Sequence, residues 1–253
     1  MNFSGKNAVV TGAASGMGFG TALRLAQNGV NVVMCDINKA ALEDKVKEVN
    51  AVGKAIGVVT DVRDYAQVVR ACDEAVRKLG SIDYLVCCAG GSAKRILNSP
   101  ERFEDTPIEV FDWGIDVNLK GAFYFAHRAM KEMSKTKFGS IVVMGSVSGI
   151  EGGEDASYAV SKSGLMYGLT RSLAKVGAKY NVRANCVAPG PVLTRDSMKY
   201  MKTLMKRAAE PDEIINVITF LLSDEASAIT GSTMLADCGR MLADDRGWGE
   251  YSK

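Results

Sequence analysis

The sequence predicts an α/β fold: one doubly wound parallel sheet of about seven strands, with helices on both faces. Three observations lead there. Short apolar runs alternate with longer helical patterns along the whole chain. The short runs are apolar almost throughout, as strands covered on both faces are. Strands joined through helices then run parallel, and right-handed crossovers fix the winding. No linker, charge run, low-complexity tract or repeat interrupts the pattern, so residues 1–253 are assigned to a single domain.

The elements follow in order. Asn7 to Val10 reads as a strand, and the helix after it runs to about Asn28. Val30 to Cys35 with Lys39 to Val52 repeats the pair, as does Ala55 to Val59 with Tyr65 to Leu79. Asp83 to Cys88 is a fourth strand. A long helical stretch, about Val110 to Ser134, leads to strand Ile141 to Met144. The segment from Ser157 to about Tyr180 reads as helix: it has no proline, and small or apolar residues such as Ala159, Leu165, Leu169 and Leu173. Strand Val182 to Ala188, a helix near Pro211 to Leu222 and strand Thr233 to Ala236 complete the pattern.

Composition excludes several classes. Hydrophobic residues make up 47% and charged residues 24%, the balance of a globular domain. The formal net charge is +2 with no basic block, so neither a nucleic-acid nor a membrane surface is expected. No apolar run approaches about 18 residues. The first residues enter a strand-like run without a signal-peptide core. None of the six cysteines forms a Cys-x-x-Cys unit, and they read as reduced core residues of a cytoplasmic protein. With one histidine, His127, set in a helical segment, no metal site is expected.

In a doubly wound sheet ligands bind at the carboxyl ends of the strands, so functional residues should follow strands closely. Thr11-Gly12-Ala13-Ala14-Ser15-Gly16-Met17-Gly18 joins the first strand to the first helix. Its glycines let backbone approach a pyrophosphate, and the helix start supplies N–H groups and a positive dipole end. A tight turn with close helix packing needs the same glycines. Asp36 ends the second strand, where a carboxylate can bond both ribose hydroxyls and repel a 2′-phosphate; Ile37 and Asn38 follow it, with no arginine. This favours NAD over NADP. Asp36 can equally cap the helix near Lys39. Thr60-Asp61-Val62 follows the third strand, with Asp61 placed to meet an adenine amino group. The fourth leads into Cys87-Cys88-Ala89-Gly90-Gly91, where small residues at 89 to 91 leave room for a ribose; Asp61 and this stretch can equally be strand-end structure. The loop Pro189-Gly190-Pro191-Val192-Leu193-Thr194 is rigid, and its backbone or the Thr194 hydroxyl can bond a carboxamide.

The chemistry centres on Tyr158 and Lys162. Residues four apart share a helix face, so phenol and ammonium should lie side by side. A free tyrosine ionises near pH 10, and a neighbouring cation favours the phenolate. The pair is thus suited to general acid/base work. Ser146 lies twelve residues earlier, after the fifth strand, where its hydroxyl can hold a substrate oxygen. Asn118 sits inside a helical stretch, where it competes for backbone bonds; it is expected to distort the helix and hold a water near Lys162.

Assembled, these residues resemble the classical branch of the short-chain dehydrogenase/reductase family. The resemblance runs from Thr11 to about Gly239 and rests on the glycine turn, Asp61, Ala89-Gly90, Asn118, Ser146, Tyr158-x-x-x-Lys162 and Pro189-Gly190, in the family's order. It implies a Rossmann-type fold and a hydride exchanged between nicotinamide and a secondary alcohol or ketone. Tyr158 would be the acid/base, Ser146 would orient the substrate oxygen, Lys162 would assist the tyrosine and bond the ribose, and Asn118 would hold a relay water. The implied cofactor-binding set is Gly12, Ser15, Gly16, Met17, Gly18, Asp36, Ile37, Asp61, Val62, Cys88, Ala89, Gly90, Tyr158, Lys162, Pro189, Gly190, Val192 and Thr194. A homotetramer, assembled partly through the Tyr158 helix and the last strand, is implied too.

The chain departs from the family pattern in four places. Cys87-Cys88 replaces the usual Asn-Asn, which puts local packing in question and suggests oxidant sensitivity. Asp237-Cys238-Gly239 replaces Asp-Gly-Gly. The substrate-lid region, about 194–210, looks short. The tail, residues 241–253 with Trp248 and Tyr251, extends past the last strand toward a neighbouring subunit. The loops near the site carry Ser92, Lys94, Arg95, Glu151, Glu154 and Asp155, which favours a polar substrate such as a polyol, sugar or hydroxy acid. Two rival readings stand beside this one: an NADPH-dependent reductase of 3-oxoacyl or other carbonyls, and a non-catalytic dinucleotide sensor on the same fold.

Overall fold

The computed structural model describes residues 3–243; the expected packing of Trp248 and Tyr251 lies outside them. Seven strands form one sheet: β1 Asn7–Thr11, β2 Asn31–Asp36, β3 Lys54–Val59, β4 Tyr84–Cys87, β5 Gly139–Met144, β6 Val182–Pro189 and β7 Thr233–Ala236. Their order is β3-β2-β1-β4-β5-β6-β7, and every neighbouring pair is parallel. The chain winds outward from β1 to β3, then crosses back to β4 on the other side of β1. That reversal leaves a crevice beyond the carboxyl ends of β1 and β4.

The helices are α1 Gly16–Gln27, α2 Lys39–Asn50, α3 Tyr65–Leu79, α4 Ala93–Ile96, α5 Ile108–Ile115, α6 Gly121–Thr136, α7 Ser148–Glu151, α8 Ala156–Ser163, α9 Thr170–Gly177 and α10 Pro211–Leu222. Alternate strand residues reach opposite faces of the sheet. Val33, Leu85 and Ile141 join Phe125, Met133 and Leu165 in one core layer. Val32, Val86 and Val142 join Leu25, Ile214 and Ile218 in the other. Phe125 is fully buried, and removing such a ring typically costs about 3–5 kcal/mol.

Local signals set the helix ends. Asp64 caps α3 by accepting from the Ala66 and Gln67 N–H groups. Gly80 stops it at φ 93°, a left-handed position that favours glycine. The Glu213 carboxylate accepts from Glu210 N–H at 2.9 Å at the start of α10, with Pro211 in the first turn.

Two helical stretches are less regular than the sequence suggests. Between α5 and α6 the chain makes a π-helical turn, Asp116–Lys120. The Asn118 amide donates to Gly114 O at 2.9 Å, so the distortion expected there is present and has a local cause. The segment from Ser157 to Tyr180 is not one regular helix. A second π turn, Gly164–Leu169, separates α8 from α9, and a 3₁₀ turn, Ala178–Tyr180, ends it. The two π turns meet: a Cβ on Gly164 would lie 3.2 Å from a methyl of Leu119. Across the second one the Thr170 hydroxyl donates to Leu165 O at 2.6 Å, a bond that periodicity does not encode.

Short elements also escaped the sequence reading: α4, α7 and the 3₁₀ turns Phe103–Asp105 and Asp196–Tyr200. The latter turn lies in the lid region. Leu193 N–H donates to Ala209 O and Ala209 N–H to Pro191 O, both at 2.9 Å, so the excursion leaves and returns at one point. Cys238, where the family usually has glycine, sits at φ 52°, at a cost of roughly 1–2 kcal/mol for a side-chain-bearing residue.

Candidate active site at the carboxyl ends of the strands

The turn after β1 is shaped by what cannot fit. Gly12 has φ 64°, and a Cβ on it would lie 2.7 Å from Ala89 N. A Cβ on Gly18 would lie 2.1 Å from Gly12 O, closer than any contact tolerates. Gly16, at φ 52°, faces open space. Thr11 Oγ1 accepts from Ala89 N–H at 3.1 Å and ties this turn to the end of β4. Ser15 makes no side-chain cap, so the first N–H groups of α1 are left for another acceptor. Open space beside a helix start lined by glycines fits a diphosphate.

Asp36 closes the far end of that cavity. Its carboxylate accepts from Ala14 N–H at 3.0 Å and Asn38 N–H at 2.9 Å. It does not cap α2; Asn38 does, accepting from Ala41 N–H at 3.1 Å. The capping alternative for Asp36 is therefore removed. Asp61 is gripped by Arg63, whose Nε and Nη2 approach its oxygens at 2.7–3.1 Å. Those hydrogen bonds hold the Asp61 carboxyl below the usual range against the opposing effect of its partial burial. Sequence reasoning missed Arg63, although two residues after Asp61 is within reach of a pair.

Tyr158 sits on α8, and Lys162 follows one turn later. The Lys162 Nζ lies 5.4 Å from the Tyr158 ring centroid and donates to Met144 O, at the end of β5, at 2.7 Å. Lys162 is 4% exposed, and no carboxylate pairs with it among the described residues. The buried ammonium is thus held by a strand-end carbonyl, a partner the sequence did not indicate. Ser146 is buried and accepts from Ser148 N–H at 3.2 Å.

Asp155 anchors the start of α8. One oxygen accepts from Ser157 Oγ at 2.7 Å and Tyr158 N–H at 3.1 Å. The other accepts from Ser92 Oγ at 2.7 Å and Lys94 N–H at 3.2 Å, on the segment after β4. Its burial favours the neutral acid, but the four donors outweigh that and hold the carboxyl below its usual range. The sequence reading took Asp155 for a polar loop residue. An aspartate three residues before Tyr158 is the N-cap signal that marks it.

Two adjoining cavities surround these residues. The first, about 400 Å³, is lined by Gly12, Ser15, Gly16, Met17, Gly18, Asp36, Ile37, Asp61, Val62, Cys88, Ala89, Gly90 and Thr194, with Arg63, Ile96, Trp113 and Val117 among others. The second, about 490 Å³, holds Ser146, Tyr158, Lys162, Pro189, Gly190 and Val192. They share Ser15, Gly16, Met17, Cys88, Gly90 and Thr194, so they form one continuous cleft. Asn118 is the exception. It is 1% exposed and lines neither cavity. Its amide donates to Gly91 O and Gly114 O, and its oxygen accepts from Gly91 N–H. It fastens the loop after β4, and a Cβ on Gly90 would fall 2.3 Å from its oxygen and 3.6 Å from Lys162 Nζ.

The two adjacent cysteines sit differently. Cys87 lies in the core, and β4 keeps its register with β1 and β5, so the packing doubt raised by the missing amides is removed. Burial pushes the Cys88 thiol up to about 12 and Cys87 higher still. That opposes thiolate formation near neutral pH, although Cys88 is only half-buried and lines the cleft. All six cysteines are free.

A doubly wound sheet with a glycine turn at its switch point, and a serine, tyrosine and lysine around the adjoining cavity, defines a dinucleotide-dependent oxidoreductase. The comparisons agree. The family model described as "Enoyl-(Acyl carrier protein) reductase" matches residues 12–240. A 3-oxoacyl-(acyl-carrier-protein) reductase of Thermotoga maritima is 38% identical, covering 96% of this chain and 100% of the relative. A 2-dehydro-3-deoxy-L-rhamnonate dehydrogenase (NAD(+)) of Sphingomonas sp. strain SKA58 is 34% identical over 94% of this chain and 96% of the relative. The solved structure of an NAD+-bound xylitol dehydrogenase superposes with a TM-score of 0.86 at 29% identity, covering 93% of this chain and 99% of that one. The chain belongs to the short-chain dehydrogenase/reductase family and is an oxidoreductase of that family.

Proposed function

We propose that this oxidoreductase is NAD(H)-dependent and exchanges a hydride with a polar secondary alcohol or its ketone. The observation that carries the reading is the continuity of one cleft from Asp36, past the glycine turn, to Ser146, Tyr158 and Lys162. Nicotinamide, when bound, takes or gives the hydride. The residues do the rest. Ser146 Oγ holds the substrate oxygen, Tyr158 takes the hydroxyl proton during oxidation, and the buried Lys162 ammonium stabilises the phenolate so formed. Lys162 and Thr194 line the same cavity and would hold the nicotinamide ribose and carboxamide. Asn118 acts by fixing the loop after β4.

Asp36 supports NAD: its charge opposes a 2′-phosphate. Arg63 lines the same cavity but is committed to Asp61, at 2.7 Å for its shortest bond, and does not offset that repulsion. Exposed apolar residues on the Tyr158 segment and β7, namely Val160, Tyr167 and Leu235, support assembly into a homotetramer. The relative from Thermotoga maritima supports one part of the rival reading, the reduction of 3-oxoacyl groups.

Turnover measured in parallel with NAD(H) and NADP(H) separates the two. Preference for NADPH would reject NAD dependence, and Asp36→Ala should shift the preference toward NADP. Tyr158→Phe should retain dinucleotide binding and lose at least about 10²-fold in kcat, the scale of a lost general acid/base. Turnover near the native rate would reject the assignment of Tyr158. Dinucleotide binding with no turnover of any alcohol or ketone would leave the sensor reading.

A further inference from the structure

We propose that Arg95 and Arg195 bind a carboxylate on the substrate, so that the polar alcohol of the preceding section is a hydroxy acid and its ketone an oxo acid. The inference rests on that reading of the cleft. The cavity around Tyr158 and Ser146 is lined by three cationic side chains, Lys162, Arg95 and Arg195, and by no aspartate or glutamate. Lys162 is buried; one of its N–H groups goes to Met144 O, and the others serve Tyr158 and the cofactor in the reading above. The two arginines stand at the mouth. Arg95 comes from the segment after β4 and Arg195 from the loop after β6, and these flank the loop after β5 that carries Ser146.

Neither guanidinium is neutralised by the protein. Among the described residues neither forms an ion pair. Arg195 Nη2 reaches only Met198 Sδ, at 3.8 Å. Arg95 Nη2 lies 3.3 Å from where a Cβ on Gly91 would stand, so it lies alongside the Gly91 backbone. Two of the acidic groups nearby are already committed. Asp155 accepts its four hydrogen bonds, and Glu151 pairs with Arg240 at 2.9 Å. A third cavity, of about 700 Å³ and outside the cleft, sets Glu101, Glu104 and Glu154 near Arg95, and none of them pairs with it. Elsewhere around the cleft the arginine is paired, as Arg63 is with Asp61. Two unpaired guanidiniums facing one cavity call for an anion, and their planar forks match a carboxylate.

The rival anion is the cofactor diphosphate. Arg195 adjoins Thr194, which lines both cavities, but neither arginine lines the cavity formed by the full glycine turn and Asp36. Both arginines share their cavity with Ser15, Gly16 and Met17 of that turn, but Arg95 also lines the third cavity, which holds no residue of it. The substrate carboxylate is therefore the better match.

The test uses the full-length enzyme with saturating NAD. Short-chain 2- and 3-hydroxy acids are compared with their amides in kcat/KM. The native enzyme should prefer acid to amide by at least about 10-fold, and raised salt should erode the preference. Arg95→Met should lower the acid-to-amide ratio by about 10- to 100-fold, mostly through KM, the range of a charge-assisted bond. Arg195→Met should lower it less, and Arg95→Lys should recover part of the preference. Dinucleotide affinity, measured by titration, should not follow the ratio. An unchanged ratio in Arg95→Met would overturn the inference. So would native turnover of neutral alcohols with no gain for acids, which would leave the proposed function standing. A parallel loss of dinucleotide affinity in both variants would place the guanidiniums on the diphosphate instead. Absence of turnover with every acid, amide and ketone would overturn the proposed function, and this inference with it.

Discussion

Asp155→Ala should strike stability and turnover together. The carboxylate accepts four hydrogen bonds, two on α8 and two on the segment after β4. As an N-cap it is worth about 1 kcal/mol. The remaining bonds, on a half-exposed group, add roughly 0.5–1 kcal/mol each. The loss near pH 7 should total about 3 kcal/mol, or about 6–12 °C in Tm for a chain of this length. Asp155→Asn keeps a carbonyl oxygen for Ser157 and Tyr158 but turns an amide donor toward the Lys94 N–H. It should cost about half as much. Because α8 carries Tyr158, kcat should fall by about 10-fold in Asp155→Ala, as modest misplacement of a reacting group does. The pH dependence has a definite sign. The folded carboxyl lies below its usual value, so its contribution is present above about pH 4 and is lost as pH falls through the folded value. The gap between native and Asp155→Ala should therefore close on acidification. Thermal unfolding from pH 7 to pH 3, with parallel kinetics, checks this. A variant melting within about 1 °C of the native protein at pH 7, or a gap that stays constant with pH, would refute the reasoning.

Two further outcomes follow from the geometry. Gly18→Ala must displace the Gly12 carbonyl, and overpacking of about 1–3 kcal/mol should weaken dinucleotide binding by roughly 10- to 100-fold. Gly16→Ala meets only its own backbone strain and open space, so titration should show the smaller loss; equal losses would contradict the turn geometry. Cys88, pushed up to about 12, should react with iodoacetamide at pH 7.5 roughly 10³-fold more slowly than a free thiol, and labelling followed by mass spectrometry at the free-thiol rate would contradict the suppressed thiolate.

Much of the site was legible because the family's chemistry sits at fixed points on a strand-turn-helix pattern. The glycine turn, Asp36, Ser146, Tyr158 and Lys162 all line the cleft they were expected to line. What escaped were partners set by long-range contact. The carbonyl of Met144 under Lys162, the grip of Arg63 on Asp61 and the reach of Asp155 back to Ser92 are side-chain contacts that no periodicity encodes. Asn118 was recognised as a helix disturber, but its burial and its bonds to Gly91 needed the fold to be seen.

The sequence by itself determined the winding of the sheet and the order of the strand-end loops. Apolar runs, glycine spacing and helix phase are local properties, and parallel packing leaves few alternatives. Only the tertiary structure decided which polar groups are spent on one another and which remain for a ligand. That division depends on distances between residues far apart in the chain. Asp155 is occupied from both sides and Arg95 is left unpaired, although both read alike as charged loop residues.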